Sequence, residues 1–246
     1  MKYFLPTTVL AGVISLAACN ERPKQESVSL DEILSETSSS PSTTATHKPD
    51  RKVWPPVSNE YAAIQTTENY LVVLDDSGSM DGDKMKQAKQ ALITLADTLP
   101  AEHNLGLIHL NSPTKVPLGT KNRAAFKQAV HGSSARGGTP LRASTTRAFQ
   151  EITTQASRQQ GYGSYHMIIV TDGESSDKSP MDIVRQVVAK TSVQVHVIGF
   201  HVASHEMNDP RYVDYRTASN AAELAKAFKE VAAETNEFSD PKEFTQ

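Results

Sequence analysis

One tyrosine and four aliphatics, Tyr70-Leu71-Val72-Val73-Leu74, run without transition into Asp75-Asp76-Ser77-Gly78-Ser79-Met80. An unbroken apolar run of this length and branched content is expected of a strand covered on both faces, which confines the chain to folds that bury a sheet between layers. Downstream, Met85, Ala88, Leu92, Leu95, Ala96 and Leu99 recur at helical spacing up to Pro100, so Asp75 to Ser79 form the loop between a core strand and a helix. Ligands of open α/β sheets bind at such loops. Alternate residues of an extended loop project the same way, which brings the oxygens of Asp75, Ser77 and Ser79 onto one small volume. Oxygen ligands suit a hard cation such as Mg²⁺, which takes about six of them, so other loops must complete the shell. Alone, the motif also reads as a capped helix start.

The rest of the chain alternates between the two periods. Asn104 to Leu110 reads as a second strand, Asn111-Ser112-Pro113 as a turn and Lys115 to Leu118 as a short return strand, antiparallel at a sheet edge. Asn122 to Val130 is a short helix. Gly137-Gly138-Thr139-Pro140 opens another, carrying Leu141, Thr145, Ala148, Phe149 and Ile152, with Thr139 expected at the N-cap and Pro140 at the first helical position. The two glycines allow backbone shapes and close approaches that side chains would block. Ser164 to Glu174 repeats the opening pattern, a buried strand running into Thr171-Asp172-Gly173, although Asp-Gly alone also reads as a turn. Ser179-Pro180 starts a helix with Met181, Val184, Val187 and Val188 on one face. Val193 to Phe200 is a buried strand and Tyr212 to Thr217 a short last one. Asn220-Ala221-Ala222-Glu223 caps a final helix with Leu224, Phe228 and Val231. This alternation predicts an α/β fold with a doubly wound, mainly parallel sheet flanked by helices and one antiparallel edge strand.

Composition removes several function classes. The net charge over 246 residues is -3, and basic residues are scattered rather than interleaved with aromatics in a stripe, so no nucleic acid partner is expected. Zinc chemistry has little support: there is one cysteine, and His201-x-x-x-His205-Glu206 lacks the H-E-x-x-H order. No G-x-S-x-G elbow or P-loop occurs, and His109 and His166 lie in apolar strands as core or sheet-face residues. The reading is therefore a non-catalytic protein, with a hydrolase assembled in space as the alternative.

The N-terminus reads as an address. Met-Lys, the apolar run Tyr3 to Leu16 and then Ala17-Ala18-Cys19 form a secretory signal over residues 1–18, too short to span a bilayer. Leu16-Ala17-Ala18-Cys19 resembles the lipobox of bacterial lipoproteins. The resemblance implies acylation of Cys19, anchorage in the lipid bilayer of a bacterial cell envelope and, with Asn20 following, the outer membrane in a Gram-negative cell. Residues 19–57 are rich in Ser, Thr, Pro, Glu and Lys and bury too little apolar surface to order themselves. Such a tether holds a domain on the order of 35 Å from the membrane. The folded domain is expected over residues 58–240.

Asp75-x-Ser77-x-Ser79, then Thr139, then Thr171-Asp172-Gly173 stand in three loops expected at one edge of the sheet. In this order they resemble the metal-ion-dependent adhesion site of von Willebrand factor type A domains, over about residues 68–235. The resemblance implies about six strands with a metal at the top of the sheet, Mg²⁺ or Mn²⁺, held by Asp75, Ser77, Ser79, Thr139 and Asp172. Hydroxyls would bind the ion directly and carboxylates often through water, leaving charge to attract an Asp or Glu of a protein partner. The implied function is a membrane-tethered, metal-dependent adhesion, scaffold or assembly module; a purely structural metal is the other alternative. His201 to Arg211 is too short and polar for a full helix, unlike larger members.

Overall fold

The computed structural model describes residues 67–112 and 115–234. The signal, lipobox and tether, residues 58–66 and 235–240 of the expected domain, and Pro113 of the expected turn lie outside the described residues. Along the chain run β1 (Glu68–Leu74), α1 (Asp83–Thr98), β2 (Asn104–His109), β3 (Lys115–Val116), α2 (Arg123–Gly132), α3 (Leu141–Arg158), β4 (Ser164–Thr171), α4 (Met181–Lys190), β5 (Val193–Phe200), β6 (Asp214–Ala218) and α5 (Ala221–Glu234). They form one six-stranded sheet in the order β3-β2-β1-β4-β5-β6, parallel except for the β2–β3 pair. The expected doubly wound sheet with one antiparallel edge strand is what the chain forms.

The opening apolar run is the centre of this sheet. Tyr70 to Leu74 are all fully buried, and the period of two splits them between layers. Tyr70, Val72 and Leu74 meet Met85, Leu92 and Leu95 of α1, Phe126 and Val130 of α2, and Leu224, Phe228 and Val231 of α5. Leu71 and Val73 meet Leu141, Phe149 and Ile152 of α3 and Met181, Val184 and Val187 of α4. Burial of each such side chain is worth about 1.5–3 kcal/mol. The chain fills one side of β1 first, then crosses to β4 on the other, so the strand order reverses between β1 and β4. In open α/β sheets a ligand crevice lies at that reversal, outside the carboxyl ends of the strands.

Local chemistry trims the expected elements. The return strand stops at Val116, because Pro117 has no N–H to offer a ladder. Its approach needs Gly106: a Cβ there would sit 2.9 Å from Leu71 Cδ1 and 3.0 Å from the Val116 carbonyl oxygen. The cap of α5 forms as expected, with Glu223 N–H donating to Asn220 Oδ1 (2.9 Å) and the Glu223 carboxylate accepting Ser219 N–H (2.8 Å). His201 to Arg211 makes bends and turns without a helix.

Near the amino ends of the central strands, polar side chains cross the sheet in a row. Glu68 Oε2 lies 3.2 Å from His166 Nε2, His166 Nδ1 lies 3.2 Å from His196 Nε2, and His196 Nδ1 lies 3.0 Å from Asp214 Oδ2. Arg216 Nε donates to the same Asp214 oxygen at 2.9 Å, and Tyr70 stacks on His166 with ring centroids 4.8 Å apart. Both histidines are buried, as the sequence reading had it for His166. Three bridges need three hydrogens and two neutral imidazoles carry two, so the row is complete with one further proton on the pair.

Burial raises the Glu68 carboxyl, but hydrogen bonds from His166 and Ser164 outweigh it and hold the group below its usual range. The hydrogen bond from His196 holds Asp214 low against a smaller burial effect. A carboxylate depressed in the folded state stabilises it above the unfolded pKa, about 4, and the contribution is lost as pH falls through the folded value. Urea midpoints of the unmutated chain should therefore hold level to about pH 5 and drop below about pH 4. The drop should be smaller in the Glu68→Gln, Asp214→Asn double variant.

Candidate functional site

At the opposite, carboxyl edge, Leu74 pairs with Val170, and Asp75 N–H donates to the Val170 carbonyl at 2.9 Å. That register sets the loop after β1 beside the loop after β4. Asp75 is fully buried: its Oδ1 accepts Ser77 N–H at 2.8 Å and its Oδ2 accepts the Thr171 hydroxyl at 2.6 Å. Burial still pushes the Asp75 carboxyl above its usual range against these bonds, and neighbouring Asp172 pushes the same way. Ser77 is extended, but Gly78–Met80 then makes a 3₁₀ turn rather than continuing the extended loop expected. The turn serves the same end, with Ser77 Oγ and Ser79 Oγ 3.0 Å apart. Fully buried Met80 pins it to the core.

Asp172 closes the group from β4. Its side chain has no solvent exposure; Oδ1 accepts the Ser79 hydroxyl at 2.7 Å and Oδ2 accepts Lys84 Nζ at 2.5 Å. Four of the expected ligands, Asp75, Ser77, Ser79 and Asp172, are thus joined by hydrogen bonds through Ser77 N–H and the two serine hydroxyls.

Thr139 arrives from a third loop and corrects one expectation. α3 begins at Leu141 with Pro140 at its N-cap, so Thr139 precedes the cap and its hydroxyl bonds no helix N–H. Leu141 N–H goes to the Thr139 carbonyl (2.8 Å), and the next two donors of α3 go to Asp177, whose Oδ1 accepts Arg142 N–H (3.2 Å) and Oδ2 accepts Ala143 N–H (2.9 Å). Pro140 supplies no N–H and a carboxylate from another loop serves the helix, which releases the threonine. Its backbone is clamped to Ser176, with N–H donating to Ser176 Oγ and C=O accepting Ser176 N–H, both at 2.9 Å. A Cβ added at Gly173, next to Asp172, would lie 4.0 Å from Thr139 Oγ1, so the hydroxyl faces the β4 loop.

Several further residues support the site, and of these the sequence singled out Gly137 for its backbone freedom. Asp76 is fully buried and its Oδ1 accepts Asn111 N–H at 2.7 Å; Asn111 Nδ2 donates to the Gly138 carbonyl at 2.6 Å. Gly137, with φ +71°, has no room for a side chain, since a Cβ would sit 2.7 Å from Asn111 Oδ1. It also receives Gly78 N–H on its carbonyl at 3.1 Å. His205 is buried; its Nδ1 accepts Met207 N–H, so Nε2 carries the hydrogen donated to Gly173 O at 2.7 Å. Asn111 was legible only as the first residue of a turn. Lys84 and His205 declare themselves only in space.

Among the described residues no three His, Cys, Asp or Glu side chains gather to hold a metal. The site offers two carboxylates and three hydroxyls, and the Thr139 hydroxyl has no hydrogen bond among the described residues. This donor chemistry fits a hard divalent cation and not a soft one.

A family model for the von Willebrand factor type A domain matches residues 70–240. Among curated proteins, bovine inter-alpha-trypsin inhibitor heavy chain H4 is 33% identical over 131 residues, covering 49% of this chain and 14% of its own length. This chain thus spans a minor part of that relative. Among solved structures, a von Willebrand factor type A protein from Catenulispora acidiphila superposes with a TM-score of 0.53 at 25% identity, over 68% of this chain and 42% of that one. The proximal thread matrix protein 1 of the mussel byssus, solved with a zinc occupied MIDAS motif, superposes with a TM-score of 0.53 at 19% identity over 68% and 47%, a likeness of fold.

The bridge from Asp76 to Gly138 makes Asn111 a sensitive position. Asn111→Ala keeps the backbone bond to Asp76 but removes Nδ2, which donates to the Gly138 carbonyl at 2.6 Å and lies 3.3 Å from Asp76 Oδ1, a loss of about 0.5–1.5 kcal/mol. Urea unfolding in EDTA should show it, because the bridge is made within the protein.

Proposed function

The chain belongs to the von Willebrand factor type A domain family, and from that premise we propose that it is a divalent-cation-dependent protein-binding module without catalysis, tethered to a bacterial envelope membrane. The observation that carries this reading is the convergence, at the point where strand order reverses, of two buried carboxylates with three hydroxyls from three separate loops. Ser77, Ser79 and Thr139 would hold Mg²⁺ or Mn²⁺ through their oxygens, with Asp75 and Asp172 behind them. The bound ion would supply a hard, incompletely neutralised position for an outside carboxylate. The mussel protein with zinc in its MIDAS motif supports a divalent ion in this fold.

The hydrolase alternative loses ground on one hydrogen bond. The buried pair His109 Nε2 and Ser133 Oγ is 2.7 Å apart, but the Ser133 hydroxyl donates to the Ala129 carbonyl at 3.1 Å. That second acceptor and the burial of both residues make the pair a packing contact, with neither side chain presented to a substrate.

Tethering rests on Leu16-Ala17-Ala18-Cys19 and the Ser/Thr/Pro-rich segment after it. Among the described residues no helix is long and apolar enough to cross a membrane. Acylation of Cys19, with stable anchorage by several acyl chains, would place the domain at the cell envelope, in the outer membrane if the cell is Gram-negative. Mass spectrometry of the native N-terminus should find a lipid-modified Cys19; an unmodified Cys19 or another cleavage point would remove the anchor from this reading.

Metal dependence has a direct test. Mg²⁺ or Mn²⁺ at about ten times its dissociation constant should add roughly 1.4 kcal/mol to the folded state, a gain absent in Asp75→Ala. Because Thr139 caps no helix, Thr139→Ala should fold with little loss of stability and still lose capture of partners from an envelope extract, as EDTA should for the unmutated chain. Capture that survives both treatments would assign binding to another face and leave the metal a structural role.

A further inference from the structure

The cation that Asp172 holds in this structure belongs to the protein. Lys84 Nζ lies 2.5 Å from Asp172 Oδ2, on a carboxylate side chain with no solvent exposure that also accepts the Ser79 hydroxyl. Lys84 is the second residue of α1, where a positive side chain faces the positive end of the helix and is locally unfavourable. A local conflict of this kind persists when a tertiary contact outweighs it. The Lys84 side chain keeps 33% of its exposure, so its ammonium sits at the border between the buried carboxylate and water. Asp81, three residues before it, is exposed and offers it an outward place to go, while Asp83 pairs with Lys86 at 3.0 Å.

Resting on the cation-site reading above, we propose that Lys84 is a tethered counter-ion that a divalent cation displaces from Asp172. One buried carboxylate serves two cations in turn. With the ammonium in place, Asp172 is neutralised and the loop between β1 and α1 is fastened to β4. A divalent ion held by Ser77, Ser79 and Thr139 repels the ammonium a few ångströms away and takes over the carboxylate. Lys84 then turns outward at the mouth of the site, where a partner's carboxylate would meet both the ion and the lysine. Lys84 thereby lowers the affinity for the ion, and couples ion binding to a change in charge at the surface.

The test titrates the full chain and its Lys84→Met variant with Mn²⁺ alone, by calorimetry, and follows their melting in EDTA. Methionine keeps the length and helix preference of lysine and removes the charge. Loss of one opposing charge beside the ligand should tighten Mn²⁺ binding about tenfold or more, while the melting temperature in EDTA falls because Asp172 is buried without its counter-ion. On the unmutated chain, amine acetylation read by peptide mass spectrometry should modify Lys84 several-fold faster in Mn²⁺ than in EDTA, a readout independent of whether the variant folds. Unchanged or weaker Mn²⁺ binding by Lys84→Met, or equal acetylation in the two conditions, would overturn the displacement. Absence of Mn²⁺ binding by both chains would overturn the cation site itself, a distinct result.

Discussion

The burial of two carboxylates, Asp75 and Asp172, at the ends of adjacent core strands is the constraint from which the rest of this edge follows. An isolated buried carboxylate is costly unless hydrogen bonds or charges compensate it. Here the compensation crosses between the two strand ends: Asp75 has Ser77 N–H from its own loop and the Thr171 hydroxyl from β4, and Asp172 has the Ser79 hydroxyl and the Lys84 ammonium from the segment after β1. The loops are therefore fixed by the carboxylates as much as the carboxylates by the loops. The apolar strand run holds the two acids side by side, since β1 and β4 pair in parallel register up to Leu74 and Val170.

What the sequence showed of this follows from how local each feature is. Strands buried on both faces and amphipathic helices are written in nearby residues, so the alternation of β and α elements and the class of sheet were legible. So were Asp75, Ser77, Ser79, Thr139 and Asp172 as one set, through their order and their places at strand and helix ends. The cap at Thr139 was misread because Thr-Pro is a locally good helix start, while the Arg142 and Ala143 donors of α3 are served by Asp177, nearly forty residues away in another loop. Lys84, Asn111, Ser176 and His205 act through contacts 27 to 88 residues distant in sequence, and no short pattern encodes such contacts.

The two ends of the sheet handle charge differently. At the amino edge, Glu68, His166, His196 and Asp214 neutralise one another in a closed row, ending in the Arg216 pair with Glu230. Each member has its partner within the protein, which makes the row a structural brace. At the carboxyl edge, the hydroxyls of Ser77 and Ser79 are tied to the acids, yet Ser79 is exposed and Thr139 presents its hydroxyl toward the same loop. Parallel strands point all their carboxyl ends one way, so the loops that gather there are the ones able to build a site from distant parts of the chain.

Hydroxyl oxygens and carboxylates have different consequences for what such a site attracts. Carboxylates neutralise a cation, whereas hydroxyls position it and leave its charge in force. In the proposed cation site, three hydroxyls and two carboxylates, one of them shared with Lys84, would leave a bound cation able to draw a further acid at short range. The surrounding surface carries both signs, with Asp81, Asp83, Glu174 and Glu206 exposed and Arg136 and Lys178 exposed beside them. At physiological ionic strength charges farther than about 8 Å are largely screened, so these acids penalise only a broadly acidic surface that comes close to them. On the same reading, a single Asp or Glu projecting into the centre would avoid that penalty and meet the ion. On the proposed reading, the arrangement would suit one well-placed carboxylate on a folded partner better than a uniformly acidic surface.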